Sequence, residues 1–229
     1  YYINDRSEGY GLCADALRRL AEEGTELIVT VDNGISAVEE AALAKELGIE
    51  LVITDHHRPG EVLPDAAAVV DPHRNDDLSP FKDLCGCGVA LKLVAAMDGG
   101  SYDSALEQFS DLAAIATVAD VVPLAGENRE IVRLGLKYLE NTENAGLQAL
   151  MEAASVKPPI TSMQAAFAIA PRINASGRFA NASEAVELLL CEDPGTASEM
   201  AARLNSLNSE RKRTEADIME AIRGDIIKN

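Results

Sequence analysis

Glu26-Leu27-Ile28-Val29-Thr30-Val31 runs into Asp32-Asn33-Gly34, and Glu50-Leu51-Val52-Ile53-Thr54 runs into Asp55-His56-His57. Each is a short apolar, β-branched run closed by an aspartate, the pattern of a buried parallel strand. Between them Ser36 and Glu39 stand at capping-box spacing, so a helix is expected from Ser36 to about Leu47, stopped by Gly48. Strand, helix and strand joined by short loops define an α/β fold with a doubly wound, mainly parallel sheet. The pattern extends both ways. Upstream, Tyr1-Tyr2-Ile3 reads as a strand already under way, and Ala14–Glu22 as an amphipathic helix with Leu17 and Leu20 on one face. Downstream, Ala67–Val70 reads as a further strand.

After Asp71 strands disappear. Helices are expected over Leu84–Met97, Tyr102–Ala119, Glu127–Glu140, Ala145–Ala154, Ser162–Ile169 and Ser183–Leu190. Pro158-Pro159 marks a joint, and Pro171–Arg178 reads as irregular. Asp193-Pro194 supplies an N-cap and a first-turn proline for a last helix running to the end of the chain. An α/β part is thus followed by an all-helical part.

The composition narrows the function. The 229 residues carry 38 acids against 20 bases, a net charge of −18. Hydrophobic residues at 47% and charged residues at 25% are a globular mix, which excludes a disordered chain. Aromatics at 4%, with no Trp, exclude a wall of base-stacking rings. The acidity excludes a broad basic patch that would hold nucleic acid by counterion release. It leaves room for acids that hold a cation, and residues 1–120 carry most of the excess, with 23 acids against 8 bases. No apolar run is long enough to span a membrane. The start is not a signal peptide. Cys13, Cys85, Cys87 and Cys191 fit no disulfide framework, and Cys85/Cys87 lack the second pair that a zinc site needs. They read as small thiols of a reducing cytosol.

In an open parallel sheet, ligands bind beyond the carboxyl ends of the strands, where Asp32 and Asp55 are both expected. Asp55-His56-His57 can supply oxygen and nitrogen ligands to one centre, a mixture that suits manganese, iron, zinc or magnesium. Taken alone, Asp32 is a turn former and each histidine a packing residue. At the ends of consecutive strands they read together as a metal site. His73 reads as loop chemistry. Asp120 follows Ile115-Ala116-Thr117-Val118-Ala119 and precedes Val121-Val122-Pro123, where a buried charge must be paired or coordinated. Spacing alone weighs a cap or salt bridge and a ligand equally.

Val31–Ser36, Thr54–His57 and Thr117–Leu124, in that order, resemble the motifs of the DHH phosphoesterase superfamily. More narrowly, the chain resembles that superfamily's exonucleases specific for single-stranded DNA. Asp5–Leu12, Pro59–Pro64, Cys85–Ala90, Glu127–Arg129, Pro171–Arg178 and Leu204–Lys212 carry the narrower likeness, which covers essentially the whole chain. The resemblance implies hydrolysis of single-stranded DNA from its 5′ end with a pair of divalent metals, Mn2+ or Mg2+. It implies Asp32 as a carboxylate bridging the metals, with His56 and Asp120 as further ligands. Asp55 would orient the histidine next to it, and His57 would lie near the scissile phosphate. Arg6 and Arg178 would contact DNA phosphates.

The implied domains are 1–125 for the DHH α/β part, 126–192 for the helical part of the core, and 193–229 for a long connecting helix. The resemblance also implies a cytoplasmic setting, with a helicase or single-strand-binding protein as candidate partners. Neither the family's Asp-x-Asp motif nor its C-terminal substrate-binding domain is found among residues 1–229. The chain is therefore expected to be a central fragment with little nuclease activity alone. The alternatives are a DHH phosphoesterase for oligoribonucleotides or small nucleotides, and a non-catalytic DHH-type scaffold.

Overall fold

The structure is a computed structural model that describes residues 1–3, 11–179 and 182–228, with the backbone alone for 178, 179, 221 and 224–228. The chain packs as two compact units, Arg6–Leu139 and Tyr1–Asp5 with Glu140–Asn229.

The first unit holds a parallel sheet of three strands in the order β1-β2-β3. They are β1 (Leu27–Val31), β2 (Glu50–Thr54) and β3 (Ala68–Val70). The register aligns Val31 with Thr54 and Thr54 with Val70. The next residue of every strand is an aspartate, so Asp32, Asp55 and Asp71 stand in one row at the carboxyl edge. Two ladder bonds cross that row, from Asp32 N to Thr54 O and from Asp55 N to Val70 O, both 3.0 Å.

Side-chain alternation then sorts the sheet. Leu51 and Ile53 face α1 (Ala14–Glu22) and α2 (Val38–Glu46), packing with Leu17, Ala41, Ala44 and Ile49. Leu27, Val29, Val31 and Val70 point the other way and are exposed. Beyond the sheet come α3 (Gly86–Met97), α4 (Tyr102–Ala119) and α5 (Gly126–Leu139). Their shared core is Leu84, Val89, Leu91, Ala95, Ala105, Ala113 and Ile131.

The second unit is helical among its described residues: α6 (Ala145–Ala153), α7 (Ser162–Gln164), a π-helical turn (Ala165–Ile169), α8 (Ala170–Phe179), α9 (Ser183–Leu190) and α10 (Pro194–Lys228). Leu147, Leu150, Ile169, Leu188 and Leu204 are fully buried there. The α/β part followed by helices and a long last helix agrees with the sequence reading.

Three local expectations fail. Tyr1–Ile3 form no strand. Ser36 does not cap α2, whose N-cap is Ala37 with no side-chain hydrogen bond. The loop before α2 is held from elsewhere, Ile35 N donating to Asp55 Oδ2 at 2.9 Å. Pro171–Arg178 is not irregular but helical, as part of α8. Proline removes one helical donor. Here the π-helical turn precedes it, and the Arg172 guanidinium donates to the Ala168 carbonyl at 2.5 Å. Asn205 Oδ1 on α10 accepts from Arg172 Nε at 2.9 Å and fixes that side chain.

Candidate metal centre

Asp55 and Asp71 share the parity of Ile53 and Val69, so alternation turns both carboxylates into the protein, and each is 1% exposed. Burial is offset for Asp55 by donors. Oδ2 accepts from Ile35 N, and Oδ1 accepts from His56 N at 2.7 Å, His57 N at 3.2 Å and the His57 ring at 2.7 Å. Burial alone would push this carboxyl up. The Ile35 N–H, the His57 ring and the N–H groups of His56 and His57 outweigh it and hold the group below its ordinary value. An ionised carboxylate only accepts, so His57 Nδ1 carries the proton of this bond. The ring held by Asp55 is thus that of His57, not that of His56 directly after it.

Asp32 has left strand geometry. Its φ is 66°, in the left-handed region, where short polar side chains are best tolerated among non-glycine residues. Asn33 Nδ2 donates to Val31 O at 3.1 Å, and Thr30 Oγ1 donates to Asn33 O at 2.6 Å. Asp32-Asn33-Gly34 is therefore the turn its composition suggests, and the turn also aims a carboxylate. Asp32 Oδ1 lies 3.0 Å from His56 Nε2. Asp120 Oδ2 reaches the same nitrogen at 3.6 Å.

Asp120 is the C-cap of α4, a helix with no base in its last turn. An acid at the negative end of a helix dipole is electrostatically misplaced, which is the signal that separates it from an ordinary cap. The loop beyond it is pinned by buried Asn128, whose Nδ2 donates to Pro123 O at 3.0 Å and Asp83 O at 2.6 Å.

His56 Nε2 is the focus. It is buried, and among the described residues no hydrogen bond of good geometry satisfies it, despite the two carboxylates. Asp32 raises the pKa of His56 above its ordinary value, against the pull of burial, with Asp120 and Asp55 adding. Asp32, His56 and His57 each offer a ligand atom, all within 4.8 Å of one another, while Asp120 stands outside that set. Among the described residues, Asp32, Asp55, Asp71 and Asp120 face histidines, and none forms an ion pair with Lys or Arg. A buried imidazole nitrogen between carboxylates is a mixed nitrogen and oxygen donor set of the kind that suits a divalent cation.

Asp71 escaped the sequence reading, although β3 ends in aspartate as β1 and β2 do. Its Oδ1 accepts from His73 N at 2.7 Å, while its Oδ2 has no partner among the described residues. Burial pushes this carboxyl up, the His73 N–H opposing and Asp55 adding. Arg6 lies outside the described residues, as does the side chain of Arg178. Cys13, Cys85, Cys87 and Cys191 are free thiols. No described helix is long and apolar enough to cross a membrane.

A carboxylate-and-histidine site at the edge of a parallel sheet is the class of site found here. The family model for the DHH family, N-terminal domain, matches residues 1–117, and the chain belongs to the DHH family. Within it the chain is similar to single-stranded-DNA-specific exonuclease RecJ. RecJ of Bacillus subtilis is 47% identical over 215 residues, covering 93% of this chain and 27% of the relative. RecJ of Salmonella typhimurium is 41% identical over 229 residues, covering 94% of this chain and 40% of the relative.

Among solved structures, exonuclease RecJ bound to manganese matches with a TM-score of 0.85 and 36% identity, over 96% of this chain and 56% of that one. RecJ from Thermus thermophilus in complex with Mn2+ matches with a TM-score of 0.80 and 35% identity, over 91% of this chain and 31% of that one. The chain thus spans 27% and 40% of the length of the two curated relatives.

Proposed function

We propose that this chain supplies part of the metal-binding core of an exonuclease that hydrolyses single-stranded DNA from its 5′ end. The observation that carries the reading is His56 Nε2, buried between Asp32 and Asp120 in a chain similar to manganese-bound RecJ. Asp32, His56 and Asp120 would hold Mn2+ or Mg2+. Bound divalent cations supply Lewis-acid charge at a phosphodiester and lower the pKa of an attacking water. Asp55 fixes the tautomer and the angle of His57, leaving its half-exposed ring to face the phosphate and its leaving oxygen. Arg6 and Arg178 would hold backbone phosphates through their planar forks.

In this reading 1–125 form the catalytic α/β domain, 126–192 the helical part of the core, and 193–229 a helix connecting to a substrate-binding domain. The setting is cytoplasmic, and a helicase or single-strand-binding protein is the partner to try first.

The test is manganese-dependent digestion of 5′-phosphorylated single-stranded DNA. It is run on a polypeptide carrying this sequence at the length of its relatives, and on the 229-residue chain alone. The long form is expected to digest the strand, Asp32→Ala to lose at least about 100-fold in rate, on the order of the 2.7 kcal/mol that two decades represent, and the chain alone to digest little. Undiminished digestion by Asp32→Ala overturns the assignment. Preference of the long form for dinucleotides over long strands would shift it to a small-nucleotide phosphoesterase.

A further inference from the structure

Gly86 opens α3, and its backbone is not left-handed, so alanine is allowed there by conformation and favoured by helix propensity. The position is buried, and space is what forbids a side chain. The three atoms nearest to a Cβ built on Gly86 are Cβ, Cγ and Oδ1 of Asp32, all inside any real contact distance. The start of α3 therefore seats directly on the Asp32 side chain. The same start is tied on its other side. Cys85 caps α3, its Sγ accepting from Gly88 N at 3.4 Å, and this Sγ lies 3.5 Å from Thr117 Oγ1. Thr117 is in the last turn of α4, which delivers Asp120. One dipeptide thus abuts Asp32 with one residue and the Asp120 helix with the other.

We infer that Gly86 is a positioning residue of the metal centre: by lacking a side chain, it lets α3 close on the Asp32 carboxylate and hold it facing His56. The metal consequence rests on the metal-centre reading given above, whereas the packing itself does not. Asp32 provides an internal control. With φ at 66°, it can be replaced by glycine without backbone strain, and that replacement removes all three clashing atoms.

The experiment compares the unaltered chain, Gly86→Ala, Asp32→Gly and the double variant by thermal melting. Histidine-ring NMR and calorimetric titration with MnCl2 follow on each protein that folds. Gly86→Ala is expected to lower the melting temperature when Asp32 is present, and to leave it unchanged or raise it when residue 32 is glycine. The His56 ring signal, one of three histidines, is expected to shift in Gly86→Ala. It should stay in place in Gly88→Ala, whose added Cβ meets the Leu84 side chain first, at 3.2 Å. Mn2+ affinity should fall at least tenfold in Gly86→Ala.

If Gly86→Ala fails to fold, recovery in the Asp32→Gly background supports the inference, and continued failure overturns it. An equal melting loss in both backgrounds overturns it, as does an unmoved His56 ring. If the unaltered chain takes up no Mn2+, the metal-centre reading loses support, while the melting cycle and the ring signal still decide the packing.

Discussion

The helical unit and the carboxyl edge of the sheet handle charge in opposite ways. In Glu140–Asn229 the described ion pairs are ordinary: Arg203 with Glu184 at 2.8 Å, and Arg211 with Glu215 at 2.5 Å, one turn apart on α10. At the carboxyl edge of the sheet, Asp32, Asp55, Asp71 and Asp120 meet histidines, with no Lys or Arg paired to them among the described residues. Elsewhere in the first unit, too, acids meet bases, as Lys45 with Asp65 at 2.6 Å and Lys82 with Asp77 at 2.8 Å. The sheet edge instead gathers carboxylates whose described ion-pair partners are histidines. Local backbone shows a related contrast. Helix starts in both units are closed by short-range caps, such as Asn144 Oδ1 on Leu147 N at 2.9 Å and Ser101 Oγ on Ser104 N at 3.3 Å. The loop before α2 is instead closed by Asp55, a carboxylate twenty residues further along the chain.

That contrast can be broken in steps. The largest effect is expected at Asp55→Ala, which strips an acceptor from three backbone N–H groups and the His57 ring. Unsatisfied buried donors cost about 1–3 kcal/mol each, so a loss on the order of 3–5 kcal/mol in urea unfolding is expected. A loss no greater than that of an ordinary cap would erase the distinction between the sheet edge and the helix ends.

Asn144→Ala measures that ordinary cap. It removes the bond to Leu147 N and the 2.8 Å bond from Nδ2 to Leu189 O, and about 1–2 kcal/mol should go with them. The smallest effect belongs to Glu215→Ala, whose exposed i,i+4 pair with Arg211 is worth no more than about 0.5 kcal/mol. A larger loss there would mean that the second unit, too, depends on particular charges.

Much of this arrangement is legible in the sequence because it is local. Apolar runs ended by aspartate give β1 and β2, and α4 and α9 fall on the residues that their periodicity marks. What stays hidden is nonlocal. Ser36 has the right neighbours for a cap, but Asp55 from the next strand holds that loop. Pro171 is a helix breaker by composition, and the donor that compensates for it comes from Arg172, itself held by Asn205 on another helix. Asp71 looks like the end of a short strand until register puts it in line with Asp32 and Asp55. Gly86 looks like flexibility in a glycine-rich entry until coordinates show which side chain occupies its missing Cβ.

Left-handed backbone occurs at both acids' loops, at Asp32 with φ 66° and at Val121, directly after Asp120, with φ 61°. To a protein engineer these twin conformations are not equivalent. The Asp32 conformation brings a carboxylate to 3.0 Å from His56 Nε2. Val121 is β-branched, 85% exposed and strained without evident return. Val121→Gly would relieve that strain and should raise stability by about 1 kcal/mol net of the added chain entropy. It is the natural first substitution for a hardier form of this molecule.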